Sequence, residues 1–288
     1  MIPINQIICG NNIDVLKSFP NECIDLVITS PPYDDLRDYN EYHINYDILI
    51  EHLYRILKNG KIVVFIIQDR INNKAKTTSS FYIMNKFQQY GFLLHDIMIF
   101  EKTNFMPQFK KKRFPNAFDF MFIFSKGDVD TFNPIMVKSL YTLQYKHSTY
   151  RQKNGLTKTR NKTNIASKEF KIIGNVWKYE VGTPSTNDKF AFQHPAIFPE
   201  DLARDHIYTW SNQGDIVIDP FSGSGTTCKM AYLMKRNYIG IDISQDYCDI
   251  AKKRLQLYIN KQKPQIDWDR LLNPSLLIKH ESLRKFGF

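Results

Sequence analysis

A chain of 288 residues with 43% hydrophobic and 14% aromatic content can bury a large core, which excludes a disordered chain. No stretch approaches the roughly 18 apolar residues of a membrane span, and MIPINQIICGNNIDVL lacks the basic flank of a secretory signal. The net charge of +10 is concentrated, because between Lys138 and Lys178 ten basic residues face the single acid Glu169. Such a segment suits a polyanion such as nucleic acid.

The four cysteines (Cys9, Cys23, Cys228 and Cys248) lie far apart without metal-like spacing. Together with the missing signal, they predict a cytoplasmic protein with reduced thiols, no membrane partner and no metal.

In chain order, QIICG (6–10) and IDLVIT (24–29) read as short buried strands, with NNIDVLKSF as a helical turn between them. NYDILIEHLYRILK (45–58) carries apolar residues at helical spacing and is expected to stop at Asn59-Gly60. KIVVFII (61–67) is a continuous apolar run, as in a strand buried on both faces of a parallel sheet. SFYIMNKFQQY (80–90) predicts a second helix ending at Gly91, and GFLLHDIMIFEK and FDFMFIFSKG predict two strands around the basic loop PQFKKKRFPN. From about 128 to 187 the pattern dissolves into a polar, basic insertion. PEDLARDHIYTW (199–210) predicts a helix with Pro199 in its first turn. Residues 215–244 then read as strand, Gly-rich turn, helix and strand, with a last helix at 245–261. The tail from Pro264 carries no signal that can be interpreted.

Two short motifs carry the chemistry. In DPFSGSGTT a strand runs into Asp219, Pro220 and Phe221, and Gly223 and Gly225 open a helix beginning near Thr226. Glycines let the backbone turn tightly and a ligand approach closely. The next strand ends in Asp242, where an acid would meet ribose hydroxyls. The motif lacks the third glycine of a dinucleotide fingerprint and the lysine of a P-loop, so neither of those ligands is favoured.

The second motif, TSPPY, ends the strand at 24–29 in a stiff corner, because proline can neither join a ladder nor continue a helix. An exocyclic amine on a nucleobase is a poor nucleophile, since its lone pair is delocalised into the ring. Hydrogen bonds from that amine to Ser30 and to the carbonyl of Pro31 would favour the tetrahedral form, with Pro31 and Pro32 fixing the geometry. Tyr33 offers a face for stacking, and the base must first leave the duplex.

Together the two motifs resemble the amino-methylating DNA methyltransferases that use S-adenosylmethionine, in the β-type order with the catalytic corner first. The resemblance implies an α/β, Rossmann-like, mostly parallel sheet with helices on both faces and an antiparallel hairpin. The catalytic core would span 1–127 and 188–263, with an inserted basic target-recognition region at 128–187 and a tail at 264–288. It nominates Asn11 and Asn12 of GNNIDVL for the cofactor's adenine, although the family more often has an acid at the position of Asn11. It also nominates Phe198 and Pro199 of HPAIFPEDLARDHI for the methionine end. GNVWKYEVGT also fits the family pattern. Asp219 is expected to position the cofactor, not to move protons. Duplex DNA would be gripped by Arg37, by Lys110, Lys111, Lys112 and Arg113, and by Lys146, Arg151, Lys153, Lys158, Arg160 and Lys162 of the insertion. Tyr141, Tyr145, Tyr150 and Trp177 are expected to pack the small lobe, and His194 to be structural.

Ser-Pro-Pro-Tyr is more typical of cytosine-N4 enzymes, and Asp- or Asn-Pro-Pro-Tyr of adenine-N6 enzymes, so cytosine N4 is the favoured target. Cytosine C5 chemistry needs a Pro-Cys nucleophile, and no proline precedes any of the four cysteines. Adenine N6, RNA as substrate, a protein side-chain amide (disfavoured by the basic insertion) and a catalytically silent DNA-binding protein are the alternatives. A restriction-modification role is expected, and the sequence leaves open whether a cognate restriction endonuclease accompanies the protein.

Overall fold

The computed structural model describes residues 2–32, 44–107, 112–138, 148–160, 170–182 and 198–260, with single positions at 185, 186, 188, 190, 191 and 272. Strand β1 (Gln6–Cys9) leads into helix α1 (Asn12–Lys17). Asn11 caps that helix, its side-chain oxygen accepting from the Ile13 amide at 2.9 Å. Strand β2 (Ile24–Thr29) is buried at every position.

Helix α2 (Tyr46–Ile56) buries Leu49, Ile50, Leu53 and Ile56, and strand β3 (Leu57–Ile67) begins on the next residue. The helix therefore ends before the expected stop at Asn59-Gly60. Leu57 already pairs with Ile24, and the strand bulges before Ile62 resumes pairing with Leu26. Gly60, at φ +78°, makes the bulge, and its amide donates to the Lys126 carbonyl at 2.6 Å.

A hairpin that the sequence reading passed over follows, with β4 (Ile71–Asn72) and β5 (Ala75–Lys76) turning through Asn73 and Lys74, both at positive φ. The chain continues through α3 (Ser79–Gln89), β6 (Leu93–Lys102), β7 (Phe118–Ser125), β8 (Met136–Lys138), β9 (Ser148–Arg151), β10 (Thr157–Arg160), β11 (Phe170–Ile172) and β12 (Val176–Tyr179). Helix α4 (Glu200–Trp210), β13 (Ile216–Asp219), α5 (Thr226–Leu233), β14 (Asn237–Asp242) and α6 (Gln245–Asn260) complete it.

Eight strands form one sheet in the order β1-β14-β13-β2-β3-β7-β6-β12. Only β7 runs antiparallel to its neighbours, so the mostly parallel α/β sheet with an antiparallel pair forms as read. Strand β3 is parallel to β2 and antiparallel to β7, a mixed setting that its uniform apolar run could not distinguish from a fully parallel one. The core closes with aromatic packing, the rings of Phe87 and Phe124 stacking at 4.1 Å.

Strand order reverses between β13 and β2. The chain leaves β13 for β14 on one side and leaves β2 for β3 on the other, which makes their carboxyl ends the switch point where α/β sheets bind ligands.

Two compact units divide the chain. The first comprises residues 1–133 and 174–269, and the second comprises 134–173 with 270–288. The described part of the second holds two antiparallel pairs, β8 with β11 and β9 with β10. Residues 128–133 and 174–182, assigned to the insertion on composition, thus group with the first unit. Strand β12 pairs with β6, and Trp177 is buried with its ring 4.7 Å from that of His206. One inward-facing tryptophan in a short polar strand gives almost no periodic signal.

Candidate active site

Four parallel strands end together. Cys9 lies opposite Asp242, Asp219 opposite Gly240, and Val27 opposite Ile218, so β1, β14, β13 and β2 present their carboxyl ends on one edge. That edge collects Asn11 and Asn12 after β1, Asp242 at the end of β14, Asp219 with Pro220 and Phe221 at the end of β13, and Ser30 after β2. Asn12 is buried, and its amide donates to the Pro220 carbonyl at 3.2 Å, joining the first segment to the glycine turn.

Asp219 is the hub. One carboxylate oxygen accepts from Thr29 Oγ1 at 2.9 Å and from the Phe221 amide at 3.0 Å, and the other accepts from Thr227 Oγ1 at 2.9 Å. Burial pushes the carboxyl up to about 6, although all three hydrogen bonds pull it down. Thr29 immediately precedes Ser30, and Thr227 lies in the first turn of α5. The Pro-Pro corner and the glycine turn are therefore tied to the same side chain. Asp219 is fully engaged by protein donors, which suits a positioning role.

The glycine turn is shaped by contacts a side chain would break. Gly223 and Gly225 have φ of +49° and +77°, and a Cβ on Gly225 would come within 2.7 Å of Ala251 Cβ. Asp242 accepts from the Gly223 amide at 2.8 Å and from the Ser244 amide at 2.9 Å, and burial raises its carboxyl above the usual range. The Ile243 amide also favours the ionised form, and the carboxylate remains half-buried at the strand end. Ser222 Oγ, buried inside the turn, has no hydrogen-bond partner among the described residues.

Beneath the turn lies a charge cluster that the sequence reading missed. Arg254 of α6 is wholly buried and donates to the Ser224 carbonyl at 2.6 Å, to Ser224 Oγ at 2.9 Å and to Thr226 Oγ1 at 3.1 Å. Its guanidinium also pairs with Asp188 at 2.8 Å and Glu200 at 3.1 Å, while Lys229 pairs with Glu200 at 2.6 Å. Two cations thus meet two anions with good geometry, the condition under which buried charge is tolerated. Glu200 follows Pro199, the N-cap of α4, so the cluster brings half-buried Phe198 and buried Pro199 towards the turn. A lone Arg in an amphipathic helix reads as a surface residue, and nothing in one dimension couples it to Asp188.

Ser30 and Pro32 are half-buried and Pro31 is buried. Tyr33, Arg37, Lys110, Lys111, Lys146 and Lys162 lie outside the described residues, as do Tyr141, Tyr145 and His194, and Arg160 is described only in its backbone. Lys112 and Arg113 are exposed beyond β6, and Arg113 donates to the Lys74 carbonyl. Arg151, Lys153 and Lys158 are exposed on the β9–β10 hairpin of the second unit, as is Tyr150.

A family model described as DNA methylase matches residues 24–253, most of the chain and both motifs. The chain belongs to the N6/N4 DNA methylase family. It is 49% identical over 250 residues to the orphan methyltransferase M.BamHII of Bacillus amyloliquefaciens, covering 85% of this chain and 93% of that one. The Type II methyltransferase M.HinfI of Haemophilus influenzae is 30% identical over 280 residues, covering 88% and 68%.

Among solved structures, the PvuII cytosine-N4-specific DNA methyltransferase superposes with a TM-score of 0.65 at 20% identity, over 93% of this chain and 92% of that one. The M1.HpyAVI–S-adenosylmethionine complex gives 0.57 at 22% identity, over 87% and 99%. At those identities the structural likenesses speak for the fold. The family is one of S-adenosylmethionine-dependent DNA amino-methyltransferases. This edge suits that cofactor, with glycines permitting close approach, a half-buried carboxylate at a strand end and a buried hydroxyl that has no partner among the described residues. Among the described residues no helix is long and apolar enough to cross a membrane.

Proposed function

We propose that this edge transfers a methyl group to the exocyclic amine of a base flipped out of duplex DNA, with cytosine N4 as the favoured target. When bound, S-adenosylmethionine supplies an electrophilic methyl on a sulfonium. Ser30 Oγ and the Pro31 carbonyl accept the two amine hydrogens, which directs the nitrogen lone pair towards the methyl, and Pro32 and Tyr33 shape the pocket and stack on the base. After transfer the amine sheds one proton, and no side chain needs to form a covalent bond.

Asp242 is assigned to the ribose hydroxyls. Asn11 and Asn12 are assigned to the adenine, with half-exposed Ile243 as an apolar wall beside it. Phe198, Pro199, Phe221, Gly223, Gly225 and Thr226 are assigned to the methionine end. The observation that carries this reading is the Thr29–Asp219–Thr227 link, because direct transfer requires two pockets held in fixed relation. Ser30 as the first residue of the corner supports cytosine N4.

The second unit serves as the target-recognition region in this reading, supported by the exposed cations Arg151, Lys153 and Lys158. Restriction-modification is the setting favoured by the Type II relative M.HinfI, whereas M.BamHII, at 49% identity, is named an orphan methyltransferase. The deciding experiment incubates unmethylated mixed-sequence duplex DNA with isotopically labelled S-adenosylmethionine and analyses the nucleosides by mass spectrometry. Label in N4-methylcytosine supports the full reading. Label in N6-methyladenine keeps the mechanism and overturns the base, and absence of labelled base in duplex DNA overturns the DNA reading.

A further inference from the structure

Two loops beside the catalytic corner carry features that methyl transfer itself does not use. Thr29 pairs with Phe65, Ile67 with Phe120, and Phe120 with Ile99, so β3 and β6 end on the same sheet edge as β2. The β4–β5 hairpin follows β3, and the loop 103–117 follows β6. Residues 70–78 contain Arg70, Lys74 and Lys76 and no acid, and the described residues 112–117 contain Lys112 and Arg113 and no acid.

Within the second loop Phe114 is 98% exposed. A phenylalanine left in water forgoes the favourable free energy of burial, and this one stands on a segment tied to the β4–β5 hairpin. The preceding Arg113 donates to the Lys74 carbonyl. Lys76 Nζ reaches Asn116 Oδ1 at 3.4 Å and the Asp69 carbonyl at 3.0 Å. Pro115 restricts Phe114 itself to extended backbone.

An exposed aromatic ring set among cations at the edge where a base is extruded has the chemistry of a stack-filling wedge. We propose that Phe114 enters the duplex beside the flipped base and fills the vacated stack, while Arg70, Lys74, Lys76 and Lys112 grip the flanking phosphates. The proposal rests on the base-flipping reading above.

The test uses two duplexes carrying the site that wild-type protein labels. One is fully paired, and in the other the target base faces an abasic position, where extrusion is easy. Phe114→Ala is expected to lower the single-turnover rate at least tenfold on the paired duplex and less than threefold on the abasic one. Lys74→Ala with Lys76→Ala is expected to weaken binding to both and to flatten the slope of log affinity against log salt by roughly 2. A Phe114→Ala rate within twofold of wild type on paired DNA, or an equal loss on both duplexes, overturns the wedge. Failure of the wild-type protein to label any duplex would overturn the methyl-transfer reading instead, a result no Phe114 variant can mimic.

Discussion

Replacing Asp219 with Asn should remove a pH dependence of stability that this one carboxylate imposes. Burial raises its folded-state value from 3.8 to about 6. Below pH 3.8 the group is neutral in both states and costs nothing. As pH rises, the unfolded chain ionises first, so the fold loses stability until pH passes about 6, after which the loss is constant. At about 1.4 kcal/mol per pH unit, the full loss is on the order of 3 kcal/mol. Asn keeps Oδ1 to accept from Thr29 and the Phe221 amide, and its amide nitrogen can donate to Thr227 Oγ1, so the link survives with one bond reversed. Urea unfolding of both proteins at pH 4, 5, 6 and 7, with unchanged m-values, should show the variant gaining on wild type by about 2–3 kcal/mol across the series. A flat difference would mean that the three hydrogen bonds cancel desolvation, and one that moves in favour of wild type that they outweigh it; either way the reasoning would fall.

Ser30→Ala should lower turnover on duplex DNA by roughly a hundredfold or more while the calorimetric affinity for S-adenosylmethionine stays within about threefold; equal losses in both would dissolve the proposed division of labour. Thr29→Val deletes one donor to a buried carboxylate and should cost about 1.5–3 kcal/mol of stability in urea titrations at pH 7, and less at pH 4 where the carboxyl is neutral. Arg254→Met leaves Asp188 and Glu200 with Lys229 as their remaining cation, and should cost about 3–5 kcal/mol and weaken cofactor binding by loosening Ser224 and Thr226, both read from thermal shifts with and without cofactor. Gly225→Ala drives a Cβ to within 2.7 Å of Ala251 Cβ at a positive φ, so it should lower the melting temperature, and adding Ala251→Gly should recover the steric part but not the backbone part.

The sequence disclosed what covalent neighbours encode. Ile24–Thr29 and the apolar run of β3 carry their signal within a dozen residues, the strand–turn–helix–strand unit around Gly223 and Gly225 carries its own in one unbroken stretch, and each of these elements forms where it was expected. What escaped depends on residues far apart in the chain. The end of α2 was misplaced because Leu57 gains more by pairing with Ile24 than by extending a helix, a competition helix propensity cannot see. Strand β12 hid in a polar segment because one buried Trp177 suffices to seat it. Arg254 looked like any cation of α6, and its partners Ser224, Thr226, Asp188 and Glu200 stand 28 to 66 positions away. The positions of Asp219 and Asp242 at strand ends were legible, but their engagement with backbone and threonine donors was not.

The chain order of the two motifs also explains why a single side chain must join them. The Pro-Pro corner precedes the glycine turn by most of the sequence, Thr29 and Asp219 being 190 positions apart. No local segment can therefore set the distance between them. The sheet does so instead, because β2 and β13 are hydrogen-bonded neighbours and the register of Val27 with Ile218 puts Thr29 within reach of Asp219. Backbone pairing fixes the strands only to where β13 ends. Beyond it the chain enters a Pro-Pro corner on one side and a glycine turn on the other, and both leave the ladder. A buried carboxylate that accepts from Thr29 on one oxygen and from Thr227 on the other continues the register past that point. Its desolvation destabilises the fold, whereas an apolar residue would be cheaper to bury and could not bridge two hydroxyls. That cost is consistent with Asp219 being kept for geometry, since a methyl group passing directly between two bound molecules tolerates little error in their separation.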